Sequence, residues 1–234
     1  NRSCPASGGG WLAADVCGKV AMSMRLRLHD VGGGSRARLL VVLDGPEYQR
    51  RMRLLTLLGR LAERGAVRPH RVALVVPEDR LETYSASARF ARSLADELSS
   101  LPGRRVGIGA SLGALALLHV HRTHADALSG LFLQSGSYFR RRTDRQEAGF
   151  ARFGRVDRFV GTVLRGAHGV EPVPTTLTCA LDEENYVNNA AVARALAEQG
   201  YAVDFHAARG GHDWPTWRRA LELHLPPLLR RAWR

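Results

Sequence analysis

The spacing of apolar residues changes period repeatedly along this 234-residue chain, and each change marks an element. Met22, Met24, Leu26 and Leu28 alternate with Ser23, Arg25, Arg27 and His29. Period two over this length predicts a half-buried strand at an antiparallel edge. Gly32-Gly33-Gly34-Ser35 turns the chain, and 39–43 is a continuous apolar run, the pattern of a strand covered on both faces. The loop Asp44-Gly45-Pro46-Glu47-Tyr48 follows, then an amphipathic helix over 48–64 stopped by Gly65. A strand over 72–76 ends at Pro77, and 85–98 reads as a helix with Ala88, Ala91, Leu94, Ala95 and Leu98 on one face.

Beyond that helix, Val106 to Ile108 lead into Gly109-Ala110-Ser111-Leu112-Gly113 and then an apolar helical run. Further strands are predicted over 128–133, 175–180 and 201–207, and helices from Asn185, as cap, to Gln199 and over 214–225. Between 140 and 169 the periodicity is lost in an Arg- and Gly-rich stretch, read as an insertion or short helices over the top of the sheet. Strands and helices alternate throughout, which predicts a mostly parallel sheet with helices on both faces. One domain over 20–234 is expected, with residues 1–19 loosely held.

Composition narrows the function classes. The net charge is +12, yet Lys19 is the only lysine and the arginines are scattered through helices. Aromatics make up 7% and no nucleic-acid motif accompanies the charge, so no nucleic-acid partner is expected. No apolar run is long enough to span a membrane. The first residues lack the apolar core of a signal peptide and an initiator Met, the pattern of a trimmed or partial terminus. Cys4, Cys17 and Cys179 match no metal spacing; a Cys4–Cys17 bridge is conceivable, and a reducing cytoplasm is the default compartment. His119, His121 and His124 do not share one helix face, and are read as residues of a helix C-terminus that favours positive charge rather than as metal ligands. No metal or organic cofactor is expected.

The candidate chemistry lies at strand ends. Strand, sharp turn and helix around Ser111 form a nucleophile elbow, G-x-S-x-G, with both outer glycines expected to avoid a clash. Such a serine needs a base, and an acid to orient the base, in the chain order Ser, Asp/Glu, His. Asp182, Glu183 and Glu184 follow one strand and His212 follows the next. Neutral imidazole can take the serine proton and return it to a leaving group, while the carboxylate fixes its tautomer. Tyr48, Tyr138 and Trp214 follow functional strand ends and are candidates to line a substrate pocket. Arg140, Arg141, Arg142 and Arg145 either meet an anionic substrate or lie in a solvated loop.

The segments DGPEY, GASLGALALLH, LFLQSGSYF, LDEENYVNN and GGHDWPTWRRAL, in that order over 39–229, resemble the esterase family that contains enterochelin esterases. The resemblance implies an α/β-hydrolase fold and a serine esterase with Ser111 as nucleophile and His212 as base. It also implies activity on esters or lactones, trilactone siderophores among them; distant relatives are feruloyl, S-formylglutathione and mycolyl-transfer enzymes. The family's spacing from the position of Ala180 implies Glu183 as the acid. Pro46 stands where some relatives use a backbone N–H on the oxyanion, and proline has none. The implied donors are therefore Leu112 N–H and a neighbour of Pro46, Gly45 or Glu47. An acyltransferase using the same residues, or a binding protein that keeps the fold, are the rival readings.

Overall fold

The structure is a computed structural model that describes residues 12–13, 24–167 and 169–234. Its strands are β1 (Leu12–Ala13), β2 (Arg25–Val31), β3 (Arg38–Leu43), β4 (His70–Val76), β5 (Arg104–Ala110), β6 (Gly130–Gln134), β7 (Thr175–Ala180) and β8 (Val203–Ala208). They form one sheet in the order β1-β2-β4-β3-β5-β6-β7-β8. The β1–β2 and β2–β4 pairs are antiparallel and the rest parallel. The helices are α1 (Gly45–Met52), α2 (Leu54–Glu63), α3 (Arg80–Tyr84), α4 (Ala88–Ser99), α5 (Leu112–Thr123), α6 (Phe153–Leu164), α7 (Tyr186–Glu198) and α8 (Trp214–Ala232). This is the expected α/β-hydrolase fold. The predicted loose segment 1–19 and the Cys4–Cys17 pair lie outside the described residues, apart from Leu12 and Ala13, which pair with Leu26 and Arg25.

Two apolar layers cover the sheet. One face buries Leu39, Val41 and Leu133 against Leu94 of α4, Leu117 of α5, Val160 of α6 and Leu196 of α7. The other buries Leu40, Val42 and Ile108 against Tyr48, Leu58 and Leu225, from α1, α2 and α8. Alternate residues of one strand thus point to opposite cores, which is why β3 reads as an unbroken apolar run.

Three expectations need correction. The single helix over 48–64 is two, because Arg53 adopts φ 53° and ψ 50°. Met52 and Leu54 are both fully buried, yet positions two apart in one continuous helix lie about 200° around its axis. The left-handed residue resets the phase, and Gln49 Oε1 accepts the Leu55 N–H at 2.9 Å to start α2. The final helix runs past 225 through Pro226 and Pro227. Each helical proline costs about 3 kcal/mol. Leu225, Leu228, Leu229 and Ala232 are at most 2% exposed, and a leucine buried that fully is worth about 1.5–3 kcal/mol, so burial is of the size needed to offset the prolines. Third, the stretch read as lacking periodicity contains α6, whose buried Phe153, Val156, Val160 and Val163 follow helical spacing.

Candidate active site

The parallel register brings the C-terminal ends of β3, β5, β6, β7 and β8 to one edge, with Ala110 beside Gln134 and Ala180 beside Ala208. Ser111, Ser135, Glu183 and His212 all follow these ends directly or by a few residues. Ser111 has φ 55° and ψ −123°, a conformation unusual for a residue with a side chain, and it occupies the N-cap of α5. The turn is as tight as the elbow pattern implies at its first glycine only. A Cβ on Gly109 would lie 2.6 Å from Gly113 C, whereas one on Gly113 would meet Leu43 Cβ at 3.6 Å and Asp44 Oδ2 at 3.7 Å, ordinary contact. The expectation that both positions exclude a side chain therefore fails at Gly113.

Those contacts also place the β3–α1 turn against the first turn of α5. Asp44, with φ 54°, is held there by bonds from Arg80 Nε at 3.0 Å and by Tyr84 OH, which accepts its N–H at 3.1 Å. Burial pushes the Asp44 carboxyl up, with the Arg80 guanidinium opposing it. Gly45 and Leu112 are the first residues of α1 and α5, where an N–H has no intrahelical acceptor. The Glu47 N–H, by contrast, is bonded to Asp44 O at 2.9 Å.

Of the three carboxylates after β7, Glu183 alone is buried, and its Oε2 lies 2.7 Å from His212 Nδ1. Its Oε1 accepts from Ser135 Oγ at 2.7 Å and from Ala180 N–H at 2.9 Å. Burial is the largest single influence and opposes ionisation. The hydrogen bonds from His212, Ala180 and Ser135 together outweigh it and hold the carboxyl below its ordinary range. Ser111 Oγ is 3.0 Å from Ser137 Oγ, and no hydrogen bond joins it to His212.

Ser111, Ser137, Phe139, Glu183, Asn185 and His212 line one cavity of about 390 Å³. Its remaining lining includes Asp144, Glu147, Asp182 and Glu184, and no arginine. Arg140 instead bonds the Asp157 carbonyl at 2.8 Å, and its Nε lies 3.4 Å from Asp157 Oδ1, while Arg141 and Arg145 border a separate hollow near Phe150. The aromatic residues expected in the pocket are elsewhere. Tyr48 is fully buried and donates to Gln134 Oε1 at 3.0 Å; Tyr138 is fully buried; Trp214 packs edge-on against Tyr48 and Trp217. Asn185 starts α7 without capping it: its Oδ1 faces the Cys179 thiol at 3.7 Å, and its Nδ2 donates to Ser135 O and Gly136 O.

His119 and His121 are buried and T-stacked on Phe159 and Tyr201. Burial above all pushes both imidazoles down to about 4, so they are neutral near pH 7 and not the helix-end cations expected. Among the described residues no group of three or more His, Cys, Asp or Glu is arranged to hold a metal ion. None of their helices is long and apolar enough to cross a membrane.

No protein-family model matches this sequence, and comparison with curated proteins finds no match. Solved structures do match it. The enterobactin esterase FES from Shigella flexneri superposes with a TM-score of 0.77 at 22% identity, over 97% of this chain and 60% of that one. The chain thus spans less than two thirds of that esterase. A ferulic acid esterase matches with a TM-score of 0.69 at 15% identity, covering 95% of this chain and 98% of that one. FphF, a fluorophosphonate-binding serine hydrolase from Staphylococcus aureus, follows with 0.65 at 13% identity, over 95% and 99%. The fold is that of α/β-hydrolase-type serine esterases.

Proposed function

We propose that the chain is a serine esterase that cleaves carboxylic ester or lactone bonds through an acyl-enzyme. The observation that carries this reading is the Glu183–His212 hydrogen bond, which opens on the same cavity as a positive-φ serine at a helix start. In the proposed reaction Ser111 exchanges Ser137 for His212 as its hydrogen-bond partner, and its proton passes to His212 Nε2 as Oγ attacks the ester carbonyl. Glu183 stabilises the imidazolium that forms. Leu112 and Gly45 N–H are the proposed oxyanion donors, at the adjacent starts of α5 and α1, where the helix dipoles favour negative charge. The imidazolium then protonates the leaving alcohol, and water attacks the acyl-enzyme by the reverse sequence. A cytoplasmic location belongs to the same reading.

Siderophore trilactones remain a substrate to assay, because the first structural neighbour is an enterobactin esterase. The carboxylates around the cavity favour neutral or cationic esters over anionic ones. The test is labelling by a p-nitrophenyl alkylphosphonate with mass mapping of the adduct, followed by a panel of short-acyl esters and lactones. A single adduct on Ser111 with ester turnover is expected. Turnover with Ser111 unlabelled would overturn the reading.

A further inference from the structure

We propose that Ser135 and Trp217 are positioning residues that, with Glu183 and His212, close a ring of side chains fixing both the carboxylate rotamer and the imidazole plane. This inference rests on the proposed ester hydrolysis at Ser111. Trp217 Nε1–H donates to Ser135 Oγ at 2.9 Å, and Ser135 Oγ is 2.7 Å from Glu183 Oε1. An indole N–H can only donate and a serine hydroxyl carries one proton, so Ser135 sends that proton to Glu183. The direction of the chain is thereby set. Glu183 Oε2 then meets His212 Nδ1, and the ring closes because the Trp217 indole packs edge-on against His212, with centroids 5.0 Å apart at 80°.

Each member is pinned from behind. Ser135 has φ 46°, a strained position for a residue with a Cβ. Its N–H bonds Thr178 O at 2.7 Å and its carbonyl accepts from Asn185 Nδ2 at 3.1 Å. The neighbouring Gly136 N–H donates to Asn189 Oδ1 at 2.8 Å. The Trp217 carbonyl accepts from Gln134 Nε2 at 2.8 Å, and Gln134 Oε1 accepts from Tyr48 OH. Tyr48, expected as a pocket residue, thus reaches the site from behind. The other titratable groups around the pair are Cys179, whose thiol burial pushes up to about 12, the exposed Asp182 and Glu184, and Asp213, occupied by the Thr216 N–H.

Ser135→Gly separates positioning from folding, since glycine accepts φ 46° and only the hydroxyl is lost. On a neutral activated ester, kcat is expected to fall about tenfold, the effect of one charge-assisted hydrogen bond. KM should stay near wild type, and Tm should fall by a few degrees, because the buried Trp217 Nε1–H loses its acceptor. The acid limb of kcat/KM should move to higher pH, because a carboxylate with one donor fewer ionises less readily and pairs more strongly with a cation. Trp217→Phe keeps the edge contact and frees the hydroxyl, so its loss should be smaller, and adding it to Ser135→Gly should cost little more. Wild-type kcat and acid limb in Ser135→Gly, in a protein whose Ser111 still takes the phosphonate, would overturn the inference and leave the esterase reading standing. Failure of Ser111 to label in the unmodified protein would overturn both.

Discussion

His212 Nδ1 and Glu183 Oε2 lie 2.7 Å apart although the Glu183 side chain is 2% exposed and that of His212 43%. The carboxylate is enclosed, and the imidazole stands between it and the open cavity. Only such a pairing can fix one tautomer while leaving Nε2 free toward solvent. Glu183→Gln is therefore expected to lower kcat by a factor on the order of 10³ to 10⁴. Asp182→Asn and Glu184→Gln, exposed on the cavity wall, should change kcat on a neutral ester less than about threefold. Equal mild losses across all three, measured in steady state, would leave His212 without an essential partner.

Ser111→Ala and His212→Ala should each remove ester turnover by a factor on the order of 10⁴ or more while circular dichroism stays native. The double variant should lose little beyond either single one, because the pair acts as one unit. Additive losses would mean the two residues serve separate steps.

The two glycines of the elbow separate on steric grounds. A Cβ at Gly109 would strike the Gly113 backbone at 2.6 and 2.7 Å, so Gly109→Ala should destabilise by several kcal/mol or prevent soluble expression. Gly113→Ala meets ordinary contacts and lies inside α5, where alanine is favoured, so its Tm should be unchanged or higher. Comparable Tm losses in both would contradict this geometry.

Much of this arrangement was legible in the chain, because it rests on local pattern. The apolar runs gave β3 and β7 to within a residue, and the order Ser, carboxylate, His after the strands now seen as β5, β7 and β8 anticipated which loops meet. The choice of Glu183 came from family resemblance, since three adjacent carboxylates look alike until burial separates them. Ser135 and Trp217 were out of reach for the same reason. They lie 48 residues before and 34 residues after Glu183, and 82 from each other, so only the sheet register joins them. The hints were that Ser135 comes two residues after a predicted strand end and that both residues fall in segments that resemble the esterase family. Local pattern also could not show α8 crossing two prolines, because the apolar face that offsets them is formed by the sheet.

Stability should fall as pH drops below neutral, through His119 and His121. Both have folded values of about 4, below the ordinary 6.5, so the unfolded chain takes up protons first. Their neutral burial costs nothing in protonation above about 6.5, and stability is lost as pH falls from there toward 4. Glu183, also depressed, adds to the loss once pH falls below the ordinary carboxyl range. Tm measured from pH 7.5 to 4.5 should decline, and His119→Phe, which keeps a ring against Phe159, should flatten the slope. A His119→Phe profile parallel to wild type would mean His119 does not titrate on unfolding.

No arginine after β6 lines this cavity. The Arg140 guanidinium is tied to Asp157 of α6, and Arg141 and Arg145 border a separate hollow, whereas the cavity wall carries Asp144, Glu147, Asp182 and Glu184. The net charge of +12 is spread over the whole chain, and at 0.1 M salt charges beyond about 10 Å are largely screened. Nearby carboxylates therefore outweigh the distant excess of arginine. Raising salt from 0.1 to 0.5 M should lower KM for an anionic ester by about two- to threefold, raise it similarly for a cationic one, and leave a neutral one unchanged. Replacing Arg140, Arg141 and Arg142 by glutamine should not alter KM for the anionic ester, while Glu184→Gln should reduce it. A KM for the anionic ester that rises with salt, and rises again when the arginines are removed, would place those side chains over the cavity and reverse the substrate preference argued from its walls.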